Sequence, residues 1–309
     1  MKTYKKQFGL FRSKAVQDEI NRLDPQKDHC RIVHLLSGYE FPWDGIRALE
    51  VALMRSFCSS SVSRLLHRTG EFRRHGQKRY DDTALLIAEF MQYGYDSERG
   101  RAAIDHMNRI HSAYAISNED YLFVLSTFIL EPISWINRYG WRKPSENEKQ
   151  ALFYFFREVG IRMGLRDIPT SLDAFEQFAA LYEDRNFAYT ETNKHVGDAT
   201  VKIVKGWMPF FAKPFVFPVL RCFLDAKMLA ALGYPPPSPR LSVMVNAAMR
   251  VRARVLRYIS FMPYPFFFTT QPNRSYPEGY SIEKLGPTKL LQNLKNGGRS
   301  KGTSQNPEF

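Results

Sequence analysis

Helical periodicity runs through almost the whole chain, and no convincing stretch of alternating apolar and polar residues interrupts it. A side chain returns to the same face of an α-helix after three or four residues, but to the same face of a strand after two. The pattern therefore argues for an all-α fold. It predicts helices over about 13–23, 26–37, 44–67, 80–93, 97–113, 118–138, 146–164, 171–184, 190–205, 214–232 and 239–260. Ser145 with Glu148 has the spacing of a capping box, Ser117 with Asp120 is a weaker version, and Ser97 and Ser171 are N-cap candidates. Gly94, Gly140 and Gly164 follow the ends of apolar stripes, where a left-handed C-cap favours glycine. PPPSP at 235–239 is a rigid break. With 309 residues and no internal repeat, the chain is expected to hold one large multi-helix domain over 13–287. A basic tail over 1–12 precedes it, and a C-terminal tail over 288–309, polar and glycine-rich towards its end, is expected to be disordered.

Three scattered cysteines, Cys30, Cys58 and Cys222, are too few for a disulfide framework or a zinc site, which suggests a reducing, cytoplasmic compartment. The opening MKTYKKQFGLFRSK is basic but lacks the apolar core of a signal peptide. The longest apolar run, YLFVLSTFILEPISWI at 121–136, is broken by Glu131 and Pro132, so no membrane-spanning helix is expected.

The formal charge of +13 is concentrated late in the chain. No acidic residue lies between Asp225 and Glu278, a stretch holding Lys227, Arg240, Arg250, Arg252, Arg254, Arg257 and Arg274. Such a segment suits phosphates of nucleic acid, anionic lipid headgroups or the acidic groups of a cofactor. Over 239–260, Arg250, Arg254 and Arg257 share one helical face, while Met244, Ala248, Val251, Val255 and Tyr258 share another; PYPFFF follows at 263–268. This is either a face for reversible association with anionic membranes, bringing a pocket mouth near lipophilic substrate, or a core helix with a solvated basic edge. No helix-turn-helix or other recognition motif is present, so a nucleic-acid partner is not expected.

Three residues stand out as chemically unusual. On a helix over 97–114, Ala103, Met107, Ile110 and Tyr114 form one stripe with His111 on its edge, while His106 lies at the opposite rim. His111 is either a core histidine satisfied by a backbone carbonyl or a metal or cofactor ligand. In the preceding helix, Arg79 sits one turn before the stripe Thr83, Leu86, Ile87, Phe90. If the helix begins before Asp81, Arg79 points inward and needs an anion; otherwise it is solvated. Glu131 either caps a kink at Pro132 by pairing with an arginine or serves as an acid or base lining a cavity. No Gly-rich phosphate loop, HExxH, GxSxG or CxxC pair occurs, so conventional hydrolase, kinase and dehydrogenase chemistries lack their parts.

KRYDDTALLIAEF (78–90) followed by SERGRAAIDHMNRIHSAYAISNEDYLFVLSTFILEPISWINRYGWR (97–142) resembles the catalytic domain of the MpaB-type and rubber-oxygenase family, which includes the latex-clearing proteins. EFPWDGIRALEVALMRSF (40–57), LLHRTGEF (65–72), MGLRDIPTSLDAFEQF (163–178) and YPEGYSIEKLGP (276–287) extend the resemblance over about nine-tenths of the chain. The resemblance implies an all-helical fold around an apolar pocket for haem b. It also implies a proximal histidine on the iron, and dioxygen-dependent cleavage or oxygenation of a carbon–carbon double bond in an isoprenoid-like or prenylated substrate. It assigns the iron-binding histidine to His111, and Arg79 and Thr83 to the Arg-x-x-x-Thr element; Glu131 is a further catalytic candidate from the residue reading alone. Where latex-clearing members carry lysine before that threonine, this chain has Asp82. Two alternatives stand beside this: a non-catalytic haem-binding or membrane-associated relative, and a basic helical protein that binds nucleic acid.

Overall fold

The computed structural model describes the backbone over residues 9–10, 14–260 and 265–299. The basic tail assigned to 1–12 lies almost wholly outside these residues, as do Pro263 and Tyr264 of PYPFFF and the end of the C-terminal tail. The chain is all-α. Its helices are α1 (Ala15–Arg22), α2 (His29–Leu35), α3 (Pro42–Ser56), α4 (Ser60–Thr69), α5 (Glu71–Arg74), α6 (Gly76–Tyr93), α7 (Glu98–His111) and α8 (Asn118–Tyr139). After these come α9 (Glu146–Arg162), α10 (Leu172–Asn186), α11 (Glu191–Trp207), α12 (Lys213–Arg221), α13 (Ala226–Leu232), α14 (Pro239–Leu256) and α15 (Thr288–Arg299). A π-helical turn, Leu36–Glu40, joins α2 to α3, and the described strands are the two-residue antiparallel pair Gly9–Leu10 and Ile259–Ser260.

The helix starts follow their capping chemistry. Ser145 and Glu148 form the full capping box, the Glu148 carboxylate accepting the Ser145 amide at 2.7 Å. The hydroxyls of Ser97, Ser117 and Ser171 accept amides three residues on, at 2.9, 3.0 and 3.1 Å. Gly94 and Gly164 take positive φ, but Gly140 is extended at φ −65°; glycine serves there through close approach, since a β-carbon would meet the Ile136 carbonyl oxygen at 2.6 Å.

Two long periodic stretches are each two helices. Residues 44–67 divide at Phe57–Ser59, where the buried Ser59 hydroxyl bonds Tyr182 at 2.8 Å and its backbone bridges to Phe187. Residues 214–232 divide before Asp225, whose carboxylate caps α13 by accepting the Met228 amide at 2.9 Å. At the second break the Asp225 side chain offers the backbone a partner that competes with helix continuation; at the first the Ser59 hydroxyl is held by other side chains. Thr288–Arg299 form α15, inside the stretch expected to be disordered.

One core gathers α1, α2, α6, α7, α8 and α9 around Phe90, Ile129, Phe155 and Phe156. Another joins the end of α3 to α5, α11 and α13 around Phe57, Phe72 and Met228. Between them α3 packs along α8, the most extensive helix pairing in the molecule. Arg55 of α3 fastens this pairing. Its Nε bonds Glu131 of α8, its Nη1 bonds Glu183 of α10 at 2.7 Å, and its Nη2 bonds Asp225 at the start of α13. Glu131 therefore has its arginine partner, while α8 continues unbroken through Pro132. No helix among the described residues is long and apolar enough to cross a membrane.

Removing Arg55 leaves Glu131 and Glu183 buried without a counter-charge. Arg55→Leu is expected to cost about 3–5 kcal/mol at neutral pH. The loss shrinks as pH falls, because the Glu131 carboxyl, whose pKa burial raises, then takes a proton and becomes neutral. Urea unfolding at neutral and acid pH measures it, and an equal cost at both would contradict the charge argument.

Candidate functional site

Helix α6 begins at Gly76, so Arg79 and Thr83 lie one turn apart on the same side of a formed helix. The Arg79 guanidinium is partly buried, lies 5.4 Å from the centre of the Phe72 ring, and donates to the Thr83 hydroxyl, which itself donates to the Arg79 carbonyl at 3.0 Å. Asp82 and Glu71 act on it only through space, and burial holds its pKa below the usual guanidinium value. Among the described residues, then, a largely desolvated cation lacks a bonded carboxylate. Asp82 is turned elsewhere: it pairs with Lys78 at 2.7 Å and accepts from the Tyr276 hydroxyl.

His111 is the last residue of α7, and the chain breaks over Ser112–Ser117 before α8 begins. Its Nδ1 is buried and has no hydrogen-bond partner. No carbonyl takes it, contrary to the satisfied-core alternative; its own carbonyl accepts the Tyr114 amide at 3.0 Å. Burial, then the nearby Arg79 charge, push its pKa down to about 4, so the imidazole is neutral around pH 7. The ring faces Tyr121 at 5.5 Å between centres. His106, placed at the opposite rim of the apolar face by the helical wheel, also turns inward. It is buried, with Nε2 on the Leu285 carbonyl at 2.6 Å and Nδ1 within 3.2 Å of Arg109. Of the two histidines, His106 is the satisfied one.

Next to Thr83, α3, α6, α8 and the segment Phe266–Phe268 border an apolar cavity of about 1150 Å³, open solvent at its mouth included. Leu49, Leu53, Ile87, Phe128, Pro132 and Phe267 supply its walls. Gly38 of the π-helical turn lets the Phe267 ring close in, since a β-carbon there would stand 2.3 Å from it. Thr83 lines this cavity and bonds Arg79, so it joins the apolar space to the polar pair. Arg79 and His111 are not among the lining residues. Pro132 in this wall has no amide to offer the Phe128 carbonyl one turn back.

Glu131 does not join this group; its carboxylate belongs to the Arg55 cluster. The carboxylate at the cavity is Glu50, which accepts from the Tyr80 hydroxyl at 2.7 Å, pairs with Arg47 at 2.6 Å, and is raised in pKa by burial. A signal for it exists in the sequence: Glu50 interrupts the stripe of Ile46, Leu49 and Leu53 on α3. Among the described residues, no three His, Cys, Asp or Glu side chains are arranged to hold a bare metal ion. A metal here would need most of its donors from a cofactor, with His111 adding one.

A family model described as ER-bound oxygenase mpaB/B'/Rubber oxygenase, catalytic domain, matches residues 46–254. Two proteins of Penicillium brevicompactum, named ER-bound oxygenase mpaB' and ER-bound oxygenase mpaB, are 26% identical over 243 residues and 25% identical over 237 residues. Each alignment covers 73% of this chain but only 57% and 56% of the relatives, so the chain spans little more than half their length. The solved structure of latex clearing protein LCP in the closed state superposes with a TM-score of 0.53 at 13% identity, covering 82% of this chain and 73% of that one. At that identity the superposition speaks for the fold.

The depressed His111 pKa makes stability pH-dependent. With about 4 in the folded chain against an ordinary 6.5, only the unfolded chain takes up the proton between those values. Stability is therefore expected to fall as pH drops from about 6.5 toward 4, by up to about 3 kcal/mol from this group. His111→Phe should flatten that part of the profile, and an NMR titration of His111 with a midpoint near 6.5 would refute the assignment.

Proposed function

Because the chain belongs to the mpaB/B' and rubber oxygenase catalytic-domain family, we propose that it is a haem-dependent oxygenase that cleaves or oxygenates a carbon–carbon double bond of an apolar, isoprenoid or prenylated substrate. The observation that carries this is the closeness of two interior groups, one of which the Thr83 hydroxyl links to the apolar cavity. They are the buried, partnerless Nδ1 of His111 and the carboxylate-free guanidinium of Arg79.

The residues present fit haem b. Such a group needs a neutral imidazole for its iron, apolar walls for its ring, and a cation for its propionates. His111 is held neutral and lies within the field of Arg79, and the cavity walls are apolar. When bound, the haem supplies the activation of dioxygen, the co-substrate.

The chain's own residues have separate tasks. His111 binds the cofactor. Arg79 balances a propionate or an anionic reacting group, in a setting where burial strengthens its charge. Thr83 holds the guanidinium in place and presents its hydroxyl to the cavity. Leu49, Leu53, Ile87, Phe128 and Phe267 exclude water and accept a hydrocarbon chain through burial of its surface. Glu50 and Tyr80 offer a polar end for orienting a substrate hydroxyl or carbonyl.

Protein expressed with haem supply is expected to show a Soret band. His111→Ala should yield folded but largely haem-free protein, while His106→Ala keeps the haem; the reverse outcome would overturn the assignment. Arg79→Ala is expected to retain part of the haem and lose roughly a hundredfold in oxygen consumption with prenylated lipids. Unchanged turnover in that variant would remove Arg79 from the reaction.

A further inference from the structure

Helix α14 buries a single residue, Met249. Met244, Ala248, Val251, Val255 and Tyr258 are all exposed, Met244 at 67% and Tyr258 at 64%. At 100° per residue they form one stripe along the helix. Arg250, Arg254 and Arg257, also exposed, run along one side of it. None of the three meets a carboxylate among the described residues, and the chain has no acidic side chain between Asp225 and Glu278 to supply one. α14 is therefore not a core helix with a solvated basic edge, because its apolar stripe is itself in solvent. An uncovered stripe of this size rimmed by cations calls for an apolar partner of negative charge.

A groove on the arginine side of the stripe sharpens this. It lies between α8 and α14, lined by Arg138, Ser242, Val243, Asn246, Ala247 and Arg250. Arg138 stacks on Tyr139 at 4.9 Å and donates to the Asn246 side chain at 3.2 Å, which leaves guanidinium donors free. Two guanidinium groups, a hydroxyl and an amide thus border one concavity next to exposed aliphatic side chains. That is the chemistry of a phosphate ester attached to hydrocarbon. α12 packs beside α14 and buries none of its residues, and at its approach Phe210, Phe211 and Phe215 are exposed at 84%, 67% and 66%.

We propose that the α14 face docks reversibly on an anionic phospholipid bilayer, with a headgroup phosphate seated between Arg138 and Arg250 and the Met244–Tyr258 stripe at the acyl boundary. A second copy of the chain is the weaker occupant, since a symmetric contact through this face sets arginine against arginine. Nucleic acid is weaker too, because it leaves the apolar stripe in water. The proposal does not depend on haem or turnover.

The test is flotation of the full chain with vesicles of phosphatidylcholine alone and of phosphatidylcholine mixed with phosphatidylserine, at low and high salt. Binding is expected on the mixed vesicles at low salt and should be largely lost at high salt or without phosphatidylserine. Each arginine near an anionic surface is worth about fivefold, so R250Q/R254Q/R257Q should weaken binding about a hundredfold. M244S/V251S/V255S should weaken it by at least about tenfold. R64Q/R68Q/R73Q, which removes three exposed charges from α4 and α5, should bind nearly as the unaltered chain. Equal weakening by both arginine triples, or none by the first, overturns the proposal. So does any of three other outcomes: inorganic phosphate bound while the mixed vesicles are not, dimerisation through α14 seen by light scattering, or duplex DNA displacing the vesicles.

Discussion

The Arg55 guanidinium is the contact on which the rest of the arrangement depends. Three carboxylates from three different elements converge on its nitrogens, tying α3 to α8, α10 and the start of α13. Glu131 or Glu183 alone, each nearly shielded from solvent, would be costly, and the three acids together would repel one another. The arginine makes their convergence favourable, and in doing so sets how α3 lies on α8. Those two helices carry much of the cavity wall, from Ile46, Leu49 and Leu53 on one side to Phe128, Pro132 and Ile136 on the other. The cavity is thus bounded by a charge cluster that is not part of it.

Against this background the unsatisfied groups become informative. Buried charges elsewhere have partners: Arg142 binds Glu40 and Glu148 at 2.6 and 2.7 Å, Arg252 binds Asp44 at 2.9 Å, and Glu89 receives Arg99 at 2.7 Å. These ions are paired, whereas the desolvated Arg79 has no bonded carboxylate and His111 Nδ1 has no partner among the described residues, which makes both candidates for a ligand. Native proteins seldom leave such atoms orphaned, and those they do leave call for a reason. The two lie close enough for the Arg79 charge to depress the His111 pKa, which is also what a neutral imidazole ligand requires.

Much of this was legible in the sequence, for local reasons. Period, serine caps and the break after His111 are written within a few residues of one another, and they located most helices and both orphaned side chains. What escaped was set by contacts across the chain. Nothing near His106 announces that Leu285, 179 residues later, will take its Nε2. Glu131 could be expected to find an arginine, but its identity as Arg55, 76 residues away, is a property of packing. The divisions at Phe57–Ser59 and before Asp225 were hidden because an apolar stripe can continue in phase across a break, leaving only a serine or an aspartate to mark it. Glu50 was overlooked because a single carboxylate in a stripe reads as a boundary error until the Tyr80 hydroxyl and Arg47 are seen around it.

Asp82 shows how one helix serves two sides at once. α6 presents Arg79 and Thr83 toward the cavity side, while its carboxylates hold the late segment that returns across it. Asp81 takes the Ser275 hydroxyl, Asp82 takes Tyr276, and Glu89 takes Tyr280. Lys78, bonded to both Asp82 and the Gly286 carbonyl, closes the same seam. These anchors fix the rotation of α6 about its axis and so fix where Arg79 points. A lysine at position 82, as the resemblance to latex-clearing proteins would have it, would set a second cation against Lys78 and remove the acceptor for Tyr276. The departure at this one position is therefore tied to the Lys78 and Tyr276 contacts, and leaves Arg79 as the α6 cation whose charge reaches His111, with Thr83 between it and the cavity.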